Sequence, residues 1–176
     1  MLKTERLLLR PWKEEDLAPF AQISANPKVT EFFPSPLTRA ESDARAAKFQ
    51  KGITETGYGL WAVELLDTHQ FIGYIGIQKV PFQAHFTPAH EIGWGLSPAH
   101  WGHGYATEGA QASLDFGFTH LSLPKVVAFT VPANLRSRKV MERLGMHHNP
   151  ADNFEHPLLP PGHPLRLHVL YIKEKS

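Results

Sequence analysis

In the stretch P-A-H-W-G-H-G-Y-A-T-E-G, Pro98 to Gly109, two glycines flank a single histidine just ahead of a helical pattern. Before it, His90 to Leu96 (H-E-I-G-W-G-L) reads as a short strand. After it, Thr107 to Leu121 continues a helical stripe of Ala106, Ala110, Leu114, Gly117 and Leu121. Gly102 and Gly104 therefore fall in a tight strand-to-helix connection, where the missing Cβ lets the chain turn sharply and a ligand approach the amides. The first N–H groups of a helix have no internal partner and lie at the positive end of its dipole. A phosphate or pyrophosphate suits such a place. The plainer alternative is a glycine loop that only turns a corner.

Other side chains with chemical capacity are more scattered. Glu91 sits on the strand that leads into the loop, where alternation sends its side chain to one face. It is either a proton acceptor in a site floored by that strand or a carboxylate paired with a neighbouring Arg or His. His147, His148, Asp152, Glu155, His156, His163 and His168 cluster late in the chain. No two of these histidines have the helical i, i+4 spacing of a zinc helix, so packed or solvated histidines are expected and no metal. The chain has no cysteine, which excludes disulfides, thiolate zinc sites and a cysteine nucleophile.

The 176 residues suit one domain spanning 1–176, and 42% hydrophobic with 20% charged residues is ordinary for a globular chain. A net charge of +1 gives no global field for nucleic acid or an acidic membrane. Met1 to Trp12 holds Arg6 and Arg10 and no apolar run fit for a signal peptide. No segment approaches the roughly 20 apolar residues that span a bilayer. A cytoplasmic protein without nucleic-acid or membrane partners is expected.

The elements that must position these groups follow from periodicity and punctuation. Arg6 to Trp12 reads as a strand closed by Pro11, and Glu14 to Ala25 as a short helix ended by Asn26-Pro27. Phe32-Phe33-Pro34-Ser35-Pro36 is irregular, since prolines so close forbid regular structure. Thr38 with Glu41 forms a capping box for a helix running to about Glu55 and stopped by Gly57. Gly59–Leu66 and Phe71–Val80 read as an antiparallel pair, with a loop holding Phe82 and Phe86 after it. Lys125 to Val131, apolar on both faces, reads as a buried central strand. Asn134 can cap a helix to Leu144 that Gly145 ends. Met146–Asp152 is a candidate strand, Phe154–Pro164 a Pro- and His-rich loop, and Leu165–Lys173 a last strand with Leu165, Leu167, Val169 and Tyr171 on one side. The order β-α-α-β-β-β-α-β-α-β-β makes an α+β domain with a mixed sheet.

This order, with its glycine loop, resembles the GNAT N-acetyltransferase superfamily, and within it the ribosomal-protein N-terminal alanine and serine acetyltransferases. The likeness rests on T-E-R-L-L-L-R-P-W (Thr4–Trp12), E-I-G-W-G-L-S-P-A-H-W-G-H-G-Y-A-T-E (Glu91–Glu108) and N-L-R-S-R-K-V-M-E-R-L-G-M (Asn134–Met146). It implies a mixed, mostly antiparallel sheet of about seven strands flanked by about four helices. It also implies acetyl-CoA as co-substrate and direct transfer of the acetyl group to a primary amine. The acceptor implied is a protein or peptide N-terminus, with a small-molecule amine as the alternative.

The resemblance assigns roles to residues. Amides from Gly102 through His103, Gly104 and Tyr105 to Ala106 would hold the pyrophosphate, with Trp101 in place of the family's usual polar residue. Leu96 and Ser97 would offer backbone groups to the pantetheine arm, and Asn134 would bond that arm near the thiol. Many members carry a proton-donating Tyr seven residues after the Asn. That position here is Met141, so Ser137, the branch's proposed donor, becomes the candidate. Glu91 and Glu155 are rival bases, with His156 and His168 behind them. Arg136, Lys139 and Arg143 form a basic stripe, and Lys139 or Arg138 is the candidate for the 3′-phosphate. Phe32, Phe33, Phe82 and Phe86 could wall the acceptor pocket, whereas Trp61 suits the core. A non-catalytic acyl-CoA-binding domain and a nucleotide-binding module are the other readings; the missing G-K-[S/T] speaks against the second. A homodimer through an exposed last strand is left open.

Overall fold

The structure is a computed structural model describing residues 1–176. Strands β1 (Leu2–Lys3) and β2 (Leu7–Arg10) lead into α1 (Leu17–Ala25) and α2 (Arg39–Thr56). Then come β3 (Leu60–Leu65), β4 (Phe71–Lys79) and β5 (His90–Leu96), followed by α3 (Tyr105–Thr119), β6 (Lys125–Thr130) and α4 (Leu135–Arg143). Two short strands, β7 (His147–His148) and β8 (Phe154–Glu155), precede the long β9 (Leu167–Glu174). The strands lie in the order β1-β2-β3-β4-β5-β6-β9-β7, with β8 paired to β9. Every pair is antiparallel except β5 with β6.

Local chemistry fixes the helix ends. The Thr38 side chain accepts the N–H of Glu41, while the Glu41 carboxylate accepts the Thr38 N–H at 2.8 Å, and Gly57 closes α2 at φ +81°. The sheet is covered on both faces, so β3 is buried along its whole length. Along β4, Ile75 and Ile77 meet α3 at Gly109 and Gly117. The alternate residue Tyr74 turns to the other face, against Phe20 of α1 and Phe49 of α2. Period-two alternation thus splits the core into two layers.

A buried ion cluster ties the start of α1 to this sheet. Arg10 donates to Asp16 at 2.7 and 2.9 Å and to Glu64 at 2.6 Å, and all three side chains are less than a tenth exposed. The cluster sets where α1, and the segment that follows it, stands over the sheet.

The sequence and the structure differ at the termini and late in the chain. Nine strands form where about seven were expected, because β1 and β8 add two-residue pairings. Met146–Asp152 is not one strand: only His147–His148 pair, and a 3₁₀ turn at Pro150–Asp152 follows, proline having no N–H for a ladder. Leu167 is 49% exposed, since it pairs with short β8 beyond the main sheet. The last strand is no edge. It lies between β6 on one side and β7 and β8 on the other, so it offers no free ladder to a second chain.

Replacing Arg10 with Leu removes the buried cation of the cluster, leaving Glu64 only His69 and Lys13 and Asp16 only the Lys13 amide, and urea unfolding is expected to show a loss of about 3–5 kcal/mol. A loss below 1 kcal/mol would show the cluster to be dispensable.

Candidate active site

β5 and β6 share one bridge, Glu91 with Val127, and part beyond it, although β5 stays paired with β4 as far as Leu96. The gap opens into a cleft of about 680 Å³ walled by the Val29–Leu37 region, β5, the start of α3 and the inward face of α4. Backbone polar groups facing such a gap lack ladder partners and need others.

The glycine loop ends in the same cleft. Gly102 and Gly104 have φ +80° and +81°, and Gly104 is the residue from which α3 starts. Glu108 makes the first helical bond, to the Gly104 carbonyl at 3.0 Å. The amides from Gly102 to Thr107 have no acceptor in the chain. A run of unsatisfied donors at a helix N-terminus, with a side-chain-free approach, fits a pyrophosphate. The one carboxylate in this first turn, Glu108, would oppose an anion, and it is neutralised. It accepts from the Thr4 hydroxyl at 2.6 Å and from the Arg6 amide and Nε at 2.9 and 2.7 Å. Burial pushes Glu108 up, but these bonds outweigh it and hold the carboxyl below its ordinary range. Arg6 also donates to the His103 carbonyl at 2.9 Å, fixing the loop.

Trp101 explains itself structurally. Its indole N–H donates to the Leu96 carbonyl at 2.9 Å, pinning the loop to the end of β5. The Arg136 guanidinium lies 4.4 Å over its ring and donates to Glu31 at 3.1 Å, so α4 is joined to the segment between α1 and α2.

On α4, Asn134 accepts the Ser137 N–H at 3.3 Å as helix cap, and its Nδ2 donates to Thr130 Oγ1 and Ser137 Oγ at 3.0 and 3.1 Å. Because Ser137 Oγ accepts that bond, its own proton is left for the cleft it lines. Met141 is buried beside it. Arg136, Lys139 and Arg143 line the cleft, whereas Arg138 is turned away, donating to Tyr171 Oη at 3.2 Å and the Pro132 carbonyl at 3.0 Å.

Leu96, Trp101, Gly102, Gly104, Tyr105, Ala106, Asn134, Ser137 and Lys139 thus come together around the cleft. Others do not. Ser97 spends its amide on the Ile72 carbonyl at 2.8 Å, and the His103 ring stacks on Tyr105; neither lines the cleft. Glu155 is exposed on β8 and lies 3.4 Å from Arg166, apart from the cleft, because β8 pairs with Leu167 and His168 at the start of β9. His156 and His168 pack among Phe82, Phe129 and Phe154. Burial holds His168 below its usual range and, with the nearby His168, brings His156 down to about 4. Phe82 and Phe86 belong to this aromatic cluster, not to the cleft, which Phe32 and Phe33 do wall; Trp61 is core. No three His, Asp or Glu side chains converge as metal ligands.

Glu91 lies just off the cleft, one alternate residue from Gly93 in its floor. Its partner is neither Arg nor His but Gln78 directly across on β4, whose amide donates at 2.6 Å. Burial pushes Glu91 up to about 7 against the opposing pull of Gln78, Arg45 and Lys48.

Sequence reasoning missed Arg6, Thr130, Tyr74 and Arg45. Arg45 had a signal: it falls on the stripe Ser42, Ala46, Phe49 and Ile53 that α2 buries, a cation where an apolar residue is usual.

The profile of the acetyltransferase (GNAT) domain matches residues 6–147. The chain belongs to the GNAT acetyltransferase family. It is therefore an acetyl-CoA-dependent N-acetyltransferase. YnaD of Bacillus subtilis, described as an uncharacterized N-acetyltransferase, is 32% identical over 82% of this chain and 81% of its own length. An acetyltransferase structure from Agrobacterium tumefaciens has a TM-score of 0.79 and 30% identity, covering 99% of this chain and 94% of that one. A GNAT acetyltransferase structure from Bacillus anthracis has a TM-score of 0.81 and 27% identity, covering 98% and 97%. No helix is long and apolar enough to cross a membrane.

Gly104→Ala puts a Cβ on a left-handed backbone at the anion site. The expected result is a stability loss of about 1 kcal/mol with at least a tenfold weaker Kd for coenzyme A in calorimetry. Unchanged affinity would remove the loop from the cofactor site.

Proposed function

We propose that the cleft holds acetyl-CoA with its pyrophosphate on the Gly102–Thr107 amides, and that a primary amine enters from the Phe32–Phe33 side. The observation that carries this is the unsatisfied run of amides opening on the same cleft as the parted strands. Lys139 and Arg143 give the outer end of the cleft positive charge suited to a 3′-phosphate. The pantetheine arm, itself an amide chain, would supply partners to the β5 edge that β6 leaves.

Acetyl-CoA supplies an activated acyl carbon. The neutral amine nitrogen attacks it, the N–C bond forms, the C–S bond breaks, and one proton passes from nitrogen while another reaches the leaving sulfur. Backbone N–H on the open edge of β5 is placed to stabilise the oxyanion. Ser137 is the proton donor to sulfur: Asn134 fixes its oxygen as an acceptor and aims the remaining proton. Glu91 receives the amine's proton through water across Gly93, and a carboxyl near 7 suits that task. An amine with pKa ~8 is only partly neutral at pH 7, so a modest base is enough.

Two classes of acceptor have support. The ribosomal-protein acetyltransferase RimL, solved with coenzyme A, shares the fold (TM-score 0.74, 15% identity), and it favours an N-terminal α-amine. A spermidine N-acetyltransferase from Vibrio cholerae, solved with spermine, also shares it (TM-score 0.73, 19% identity) and favours a small amine. Both identities are low enough that the acceptor must be argued from this cleft's own residues.

Ser137→Ala is expected to lower kcat at least tenfold with little change in KM for acetyl-CoA; an unchanged kcat would remove Ser137 from the chemistry. In the wild type, kcat/KM should rise with pH through about 7 as Glu91 ionises. Glu91→Gln should lose that limb and keep only the one set by the amine itself. A limb near 7 persisting in Glu91→Gln would assign it to another group.

A further inference from the structure

The acceptor end of the cleft holds one charged side chain, Arg45 of α2, and no Asp or Glu lines the cleft anywhere. Arg45 is half-buried and has no carboxylate partner. Its guanidinium lies 5.5, 5.4 and 5.5 Å from the ring centres of Phe33, Phe49 and Tyr74. Its one hydrogen bond is from Nη2 to Tyr74 Oη at 3.1 Å. Since a guanidinium carries five N–H donors, most of this fork is unspent. The other cations of the lining sit on α4: Lys139 and Arg143 at the end assigned above to the cofactor phosphates, and Arg136 stacked on Trp101 and paired with Glu31.

A planar cation held by aromatic faces keeps its orientation but gains no counter-charge from them. Partly desolvated and unpaired, it presents the bidentate geometry that a carboxylate matches best. Glu91 feels the charge of Arg45, yet it bonds Gln78 and not Arg45. A polyamine would find no carboxylate here and would meet a fixed positive charge.

Resting on acetyl transfer as the reaction, we infer that Arg45 anchors an anionic group of the acceptor, so that the preferred substrates are primary amines carrying a carboxylate beside an apolar body. The rings of Phe32, Phe33 and Tyr74 supply the apolar wall, and Arg45 sets the distance between carboxylate and amine. A free apolar amino acid presents this chemistry, and so does a peptide N-terminus followed by an acidic residue.

The test follows thiol release from acetyl-CoA with four kinds of acceptor: phenylalanine and leucine, their carboxamides, peptides opening Ser-Glu or Ser-Lys, and spermidine. Expected is at least a tenfold higher kcat/KM for carboxylate-bearing acceptors than for their amide or lysine counterparts. The amino-acid and peptide arms tell the two sources apart. Assayed at about pH 8.5, above the range in which Glu91 ionises, Arg45→Gln should erase that preference through KM, change the slower neutral acceptors far less than the carboxylate-bearing ones, and leave the Kd for coenzyme A as in the wild type. Arg45→Lys, which keeps charge without the fork, should restore part of the preference.

Equal or better turnover of carboxamides or spermidine would overturn the inference and leave acetyl transfer standing. An equal loss in Arg45→Gln with every acceptor would overturn it too, making Arg45 a packing residue. A weaker Kd for coenzyme A in Arg45→Gln would place Arg45 at the cofactor and likewise overturn it. Absence of release with every amine, while coenzyme A still binds, would overturn both the inference and the proposed reaction.

Discussion

A β-sheet and a helix each leave backbone N–H and C=O groups without partners where they end or part, and in this chain both places open into the same cleft. β5 keeps its ladder with β4 but parts from β6 after the bridge at Glu91, and α3 begins with amides from Gly102 to Thr107 that donate to nothing. Leaving such groups dry and unpaired costs about 1–3 kcal/mol each, so the site needs either water or an extended polar ligand. The rest of the structure holds this arrangement open. Trp101 ties the loop to the end of β5, and Arg6 neutralises Glu108 and grips the His103 carbonyl.

Electrostatics divide the cleft into two ends. At one, Arg136, Lys139 and Arg143 come from a single helix face with the i, i+3, i+7 spacing that follows from helical periodicity. At the other, a lone guanidinium stands among aromatic rings. Between them are hydroxyls and backbone, with Ser137 oriented by the same asparagine that caps its helix. A residue serving as cap and positioning group at once makes the start of α4 part of the site.

Much of this was legible in the sequence because it depends on local rules. The capping box at Thr38 and Glu41, the left-handed stop at Gly57, the paired glycines before α3 and the cap at Asn134 are each written in a few consecutive residues. What escaped depends on register and on long-range approach. That Glu91 meets Gln78 requires the β4–β5 register, and that Glu108 meets Thr4 and Arg6 requires the N-terminal strand to pass α3. The position of Glu155 escaped for the same reason. Once β8 pairs with β9, Glu155 faces Arg166 and Phe154 before it packs against Phe82 and Phe86, away from the cleft.

The central claim is that the unsatisfied backbone of Gly102–Thr107 and of β5 holds one ligand along its length. An amide nitrogen–proton NMR titration with coenzyme A, and separately with pantetheine, tests it most directly. Coenzyme A should move the amides of Gly102–Thr107 together with those of Gly93–Leu96, and pantetheine should move only the second group. Saturation by coenzyme A that leaves the Gly102–Thr107 amides in place would contradict the account.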